Sequence, residues 1–192
     1  MSQQPAQVLR DDSVLEPYIE EHGPLTLEPA EDTFERLVVS LIRQQVSMEA
    51  ASAIRRRLFE QFEITPEAML AADQRTLQDC GLSAAKATYV KHVAEAYETH
   101  GYDHSYFEGM SNEDVLEELT DIRGVGPWTA KMFLLFALAR PDVFPVEDLG
   151  IRRGMEIVCD RELTRNEMCT RAERWEPYRS YASLYLWRAY EG

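Results

Sequence analysis

From Thr33 onward, apolar residues return every three or four positions, the spacing that lines one face of an α-helix. Phe34, Leu37, Val38, Leu41 and Ile42 set the first such face and predict a helix over residues 33–44. Ser47 is placed to cap a second helix reaching about Phe62. Thr65-Pro66 is a cap followed by proline at the first helical position, opening a short helix to about Ala72. Another short helix ends at Cys80-Gly81, where Gly81 suits the left-handed position past a helix end, and Ser83 caps a long one to about His100. Helices over 112–120, 127–139, 149–158, 165–175 and 178–189 follow, the fourth of these opened by the capping box Thr164-Arg165-Asn166-Glu167. No alternating stretch demands a strand, and no repeat of fixed period or low-complexity linker interrupts the series. Residues 1–30, with Pro5, Pro17, Pro24 and Pro29, read as an arm wrapped over a body spanning residues 31–192. The expected fold class is all-α, about ten helices in two packed lobes with a central cleft.

One connection stands out from the rest. Ser111 caps the helix through Thr120 with an acid, Asp114, at its third position, and Pro127 opens a helix that is apolar almost all round from Thr129 to Ala139 and should be buried. Between them lies Gly124-Val125-Gly126. Two glycines leave the turn without side chains, so amide N–H groups and a helix N-terminus can approach an anion directly. The whole is a helix-hairpin-helix, although Gly-x-Gly alone more readily describes an ordinary glycine-capped connection.

The charge of the chain bears on which anion. A net charge of −14 argues against a general DNA binder, which carries a basic surplus to displace counterions. With only Lys86, Lys91 and Lys131 as lysines and the other cations arginine, the balance resembles that of a protein adapted to a salty cytoplasm, where repulsion is screened within about 3 Å at about 1 M salt. A merely acidic mesophilic protein is the alternative. With 45% hydrophobic residues the chain can bury a real core. The absence of a membrane-length apolar run or signal-type N-terminus leads to the expectation of a cytoplasmic protein. Cys80, Cys159 and Cys169 are odd in number and not spaced for zinc, so they are expected to be reduced and structural. His100 and His104 lie four apart beside Asp103, a weak metal pattern without further ligands.

Some twenty residues past the hairpin, Asp142-Val143-Phe144-Pro145-Val146-Glu147-Asp148-Leu149-Gly150-Ile151 sets a carboxylate just before a helical pattern, and Ala172-Glu173-Arg174-Trp175-Glu176-Pro177-Tyr178 follows later. In this order and spacing the segments resemble the helix-hairpin-helix DNA glycosylase superfamily, and within it the alkylation-repair, 3-methyladenine DNA glycosylase II type, from about Phe34 to Trp187. The resemblance implies the compact helical form without the extra N-terminal β domain of larger relatives. It implies a monofunctional enzyme that flips alkylated purines out of duplex DNA and excises them hydrolytically as a monomer.

The resemblance makes Asp148 the catalytic carboxylate, facing the oxocarbenium-like sugar and directing water. Orphan N–H groups and the macrodipole at a helix start favour negative charge there. Glu147 is the adjacent rival, and a plain helix cap the structural alternative. Trp128 stands where bifunctional relatives such as endonuclease III carry a Schiff-base lysine, so no imine can form and no lyase step is expected. Trp128 and Trp187 would line the pocket of a flipped cationic base, through stacking and cation–π attraction. Met132 and Leu149 stand where further aromatics are implied, making that pocket softer and leaving its lesion range open. Trp175 reads as structural packing. Gln44, Gln45 and Ser47 fall at the turn implied to meet the minor groove, with Gln45 the candidate to fill the gap left by the flipped nucleotide. On spacing alone the same residues read equally as an exposed loop and a cap.

Gly124, Val125 and Gly126 would grip phosphate, and Lys131, one turn further on, would add a contact, although a solvated surface lysine is its plainer reading. The family's hairpin cation, Na+ or K+, maps onto the carbonyls of Thr120, Ile122 and Val125. No cofactor is expected for catalysis. The cysteine spacing of an iron–sulfur branch is absent, and no zinc site is implied. The rival functions are a catalytically silent binder of damaged duplex and a glycosylase for deaminated purines or 1-methyladenine. A pure binder would have no need of Asp148.

Overall fold

A computed structural model describes residues 4–192, so the first three residues of the expected arm lie outside the described residues. The described residues form only helices, in keeping with the all-α expectation. In chain order these are α1 (Pro5–Leu9), α2 (Glu16–His22), α3 (Thr33–Arg43), α4 (Met48–Gln61), α5 (Pro66–Ala71) and α6 (Gln74–Asp79). There follow α7 (Ala84–His100), α8 (Asn112–Thr120), α9 (Pro127–Phe136), α10 (Leu149–Cys159), α11 (Arg165–Ala172), a 3-10 turn (Glu173–Trp175) and α12 (Arg179–Glu191). None of these helices is long and apolar enough to cross a membrane. The chain divides into two compact units, Pro29–Leu138 and residues 4–28 together with Ala139–Gly192.

In the Pro29–Leu138 unit, α3 packs on α7 and α9, while α5 and α6 pack on α7. The apolar stripe read in the sequence supplies the core: Phe34, Leu37, Val38 and Leu41 are buried, as are Val90, Val93 and Tyr97 of α7 and Phe133 of α9. Rings meet edge to face, Phe34 with Tyr97 at 5.1 Å between centroids and Phe107 with Phe133 at 5.1 Å. Side-chain caps start six of its helices: Asp32, Ser47, Thr65, Asp73, Ser83 and Ser111 each accept a first-turn N–H. Helix α9 starts without one, because its N-cap is Gly126. It also ends at Phe136, short of the expected Ala139. Ala139 takes a left-handed backbone (φ 50°) and Pro141 follows two residues on, which disfavours helix at Arg140.

In the other unit α10 lies against α12. Gly154 makes this possible, since a Cβ there would run into the Leu186 carbonyl. The segment read as an arm contains α1 and α2, which the proline-rich pattern concealed. Pro5 and Pro17 fall in the first helical positions, where proline promotes a helix rather than breaking one. Leu9, Leu15 and Ile19 enter one core with Tyr185, Leu186 and Trp175. Asp12 fixes the segment by accepting hydrogen bonds from Trp175 Nε1 (3.0 Å) and Arg171. Burial alone would raise the Asp12 carboxyl, but the Arg171, Val14 and Trp175 donors hold it below the ordinary value.

Candidate functional site

The carboxylate expected to do chemistry is built into a helix start. Asp148 is the N-cap of α10, with Oδ1 accepting from Ile151 N–H at 3.0 Å. The indole Nε1 of Trp187, on α12, donates to the same oxygen at 2.9 Å. Gly150 is the reason the indole can come so close: a Cβ there would stand 2.9 Å from Trp187 Cδ1 and 3.1 Å from Asp148 Oδ1. The approach to the cap is held from behind. Phe144, Pro145 and Val146 are buried, Asp148 N–H donates to Pro145 O at 2.9 Å, and Arg152 donates to the carbonyls of Val146 (3.1 Å) and Glu147 (2.6 Å). Glu147 therefore meets Arg152 through its main chain, while Asp148 has the cap position and the indole. A carboxylate at this place lies in the positive end of the α10 macrodipole. Leu149, beside it, is 54% exposed.

The remaining candidates belong to the Pro29–Leu138 unit. Its hairpin runs from the end of α8 to Gly126, closed by Val125 N–H on Ile122 O at 3.0 Å. Its two glycines differ in kind. Gly124 has φ 105°, and a Cβ would collide with the Tyr89 ring, so the fold itself requires glycine. Gly126 has an ordinary extended backbone (φ −100°, ψ 177°), and a Cβ there would meet nothing within 4 Å. Among the described residues nothing asks for glycine at 126, yet it opens the one helix of this unit that lacks a side-chain cap. Trp128 and Lys131 are half-buried on α9, and Met132 is buried at 3% exposure.

Gln45 is exposed in the turn between α3 and α4 and adopts a left-handed backbone (φ 54°), uncommon outside glycine. Ser47 Oγ serves α4 as its cap, accepting from Ala50 N–H at 3.2 Å. Gln44, expected to face outward with them, instead turns its amide onto the hairpin, donating to Gly124 O (3.0 Å) and Thr129 Oγ1 (2.8 Å). Bonds to residues 80 and more positions away are tertiary, and local spacing carries no sign of them. Thr120 Oγ1 folds back to Leu116 O at 2.7 Å. The exposed histidine pair is engaged elsewhere: His100 stacks on Tyr102, and His104 Nε2 meets Ala30 O at 2.7 Å. No group of three or more His, Cys, Asp or Glu that could hold a metal exists among the described residues.

The model of the HhH-GPD superfamily of base excision DNA repair proteins matches residues 38–180. The chain belongs to this superfamily. Its HhH-GPD match takes in the hairpin and Asp148 and stops before Trp187. YfjP of Bacillus subtilis is 31% identical over 183 residues, covering 90% of this chain, which spans only 64% of that relative's length. DNA-3-methyladenine glycosylase 1 of Schizosaccharomyces pombe is 34% identical over 165 residues, covering 82% of this chain and 72% of its own. The structure of Schizosaccharomyces pombe 3-methyladenine DNA glycosylase (Mag1) in complex with abasic DNA superposes with a TM-score of 0.88 at 30% identity, over 97% of this chain and 96% of that one. Two residues of the candidate sites escaped the sequence reading: Gly150, beside Asp148 in one unit, and Tyr89, behind the hairpin in the other. Only Gly150 left a sign, as one of two glycines four apart in a helix, at 150 and 154.

Proposed function

We propose that this protein is a monofunctional DNA glycosylase that excises alkylated purines of the N3-methyladenine and N7-methylguanine type from duplex DNA. The observation that carries the proposal is the Asp148 cap with the Trp187 indole on its Oδ1. A carboxylate so held has a fixed orientation and sits where helix amides favour its charge. As the bond from the sugar to the base nitrogen breaks, the electron pair leaves with the base and neutralises the cation that alkylation created. No general acid is then needed. Positive charge develops on the sugar, where Asp148 opposes it, and water adds to the anomeric carbon with loss of its proton towards the carboxylate. Trp128 offers no amine at the position implied for a Schiff base, which supports hydrolysis without strand cleavage. The names of the Schizosaccharomyces pombe relatives support the substrate class.

The same reading gives the hairpin the DNA backbone. The start of α9 carries a proline and no side-chain cap, and its glycine is unneeded by the fold, which supports the approach of a phosphate oxygen there. A monovalent cation on the carbonyls of Thr120, Ile122 and Val125 belongs to this proposal. The residues fit it: Thr120 ends α8, so its carbonyl has no intrahelical partner, and Ile122 O keeps a second lone pair after accepting from Val125. Held this way, phosphate needs little basic surplus, consistent with a net charge of −14. The test is release of free base from methylated duplex DNA at high potassium, followed by chromatography. Free N7-methylguanine with an intact abasic strand and no borohydride-trapped adduct is the expected result. Binding without release would make the chain a catalytically silent binder.

A further inference from the structure

The turn between α3 and α4 and the hairpin between α8 and α9 are joined through one residue. Gln44 is held at both ends. Its backbone carbonyl and that of Ile42 each accept from Lys86 Nζ at 2.6 Å, which caps the carbonyl end of α3 with an ammonium. Its side-chain amide donates to Gly124 O before the start of α9 and to Thr129 Oγ1 just inside it. Helix α7 backs the whole arrangement along one stripe. Lys86 holds the turn, the Tyr89 ring fills the space a Cβ at Gly124 would need, and His92 Nδ1 meets Arg123 O at 3.2 Å.

The adjacent Gln45 shows why such holding matters. A left-handed backbone at a non-glycine residue is strained and persists only where neighbours enforce it. Nothing in the turn's own sequence enforces it, whereas the Lys86 bonds fix the residue immediately before it. The strained turn and the hairpin thus share their support.

We propose that Gln44, backed by Lys86, is a positioning residue that couples the α3–α4 turn to the hairpin, so that DNA seated on one sets the other. This rests on the glycosylase reading, in which both loops meet the duplex. Two loops ordered separately would each lose conformational freedom on binding, whereas a braced pair is already arranged. Coupling of this kind is reciprocal, so a defect in either loop should weaken the contribution of the other.

A double-mutant cycle tests the coupling directly. Gln45→Ala and Gly126→Val are made singly and together, in the native background and in Gln44→Met, and affinity for a duplex with a tetrahydrofuran abasic analogue is read by anisotropy. In the native background the combined loss should fall short of the product of the single losses by about fivefold, the worth of one neutral hydrogen bond. In Gln44→Met the losses should multiply. Thr129→Val should act like Gln44→Met and Thr129→Ser should keep the coupling, which keeps the test open if Gln44→Met folds poorly. Melting curves identify folded variants. Multiplying losses in the native background would overturn the coupling. Undiminished affinity in both single variants would overturn the glycosylase reading beneath it, and that result is visible before the cycle is closed.

Discussion

Replacing Gly150 by alanine sets two opposing effects on one helix start. Alanine gains up to about 1 kcal/mol of helix propensity over glycine. The new methyl would also stand 2.9 Å from Trp187 Cδ1 and 3.1 Å from both Trp187 Nε1 and Asp148 Oδ1. Overpacking of this kind costs about 1–3 kcal/mol. Asp148 is tied to Ile151 N–H, and the segment before it is tied by Arg152, so the half-buried indole is the group that yields. The net loss of stability should stay within about 2 kcal/mol, a shift of several degrees in melting temperature for a chain of this size. The lost indole bond has a larger consequence. A hydrogen bond to a charged group contributes about 1.5–3 kcal/mol, so single-turnover base release should slow roughly 10- to 150-fold if the bond is made in the transition state. Trp187→Phe removes the same donor without added bulk and should reproduce the slowing. Both variants are assayed by release of N7-methylguanine, with melting curves as the control. Full-rate release by folded Trp187→Phe would refute the idea that the indole holds Asp148 in its working orientation.

Gly126→Val should leave the melting curve unchanged, because a side chain there meets only open space, yet weaken binding to abasic-analogue duplex about tenfold or more, about 1.4 kcal/mol; normal binding would remove the hairpin from the DNA grip. Gly124→Ala should instead destabilise the fold itself, through its φ of 105° and the Tyr89 ring, as a urea titration would show. Asp12→Asn leaves Arg171 with a missing partner and should cost about 3 kcal/mol near neutral pH. Because the Asp12 carboxyl titrates below its ordinary value when folded, that stabilisation is present above about pH 4 and disappears as pH falls through the folded value; an equal cost in strong acid would contradict the linkage. Added potassium chloride should raise the melting temperature, as repulsion within a net charge of −14 is screened, and a chain most stable in dilute buffer would contradict the salt-adapted reading.

Much of the fold was legible because its helices announce their own beginnings. Ser47, Thr65, Ser83, Ser111 and Thr164 all cap where local chemistry places them, and the box Thr164–Glu167 forms as spelled. The N-terminal helices were missed because proline was weighed as a breaker, although Pro5 and Pro17 stand where it initiates. The candidate site was legible as a list of residues but not as a set of bonds. That Trp187 donates to Asp148, or that Gln44 turns inward, depends on helices far apart in the chain. The scarcity of lysine was a clue of another sort. Lys86 and Lys91 each place an ammonium on two carbonyls at a helix end, Lys91 on Leu70 O (2.8 Å) and Ala72 O (2.5 Å), where the planar arginine fork could not substitute for a compact charge.

The central claim is that the Asp148 carboxylate breaks the bond to an alkylated purine. Asp148→Asn tests it, because the amide keeps the shape and the oxygen that caps α10 while losing the charge. Single-turnover release of N7-methylguanine should fall at least about a thousandfold, or about 4 kcal/mol of transition-state stabilisation, with affinity for an abasic-analogue duplex retained. Base release at the native rate by the folded asparagine variant would contradict the claim.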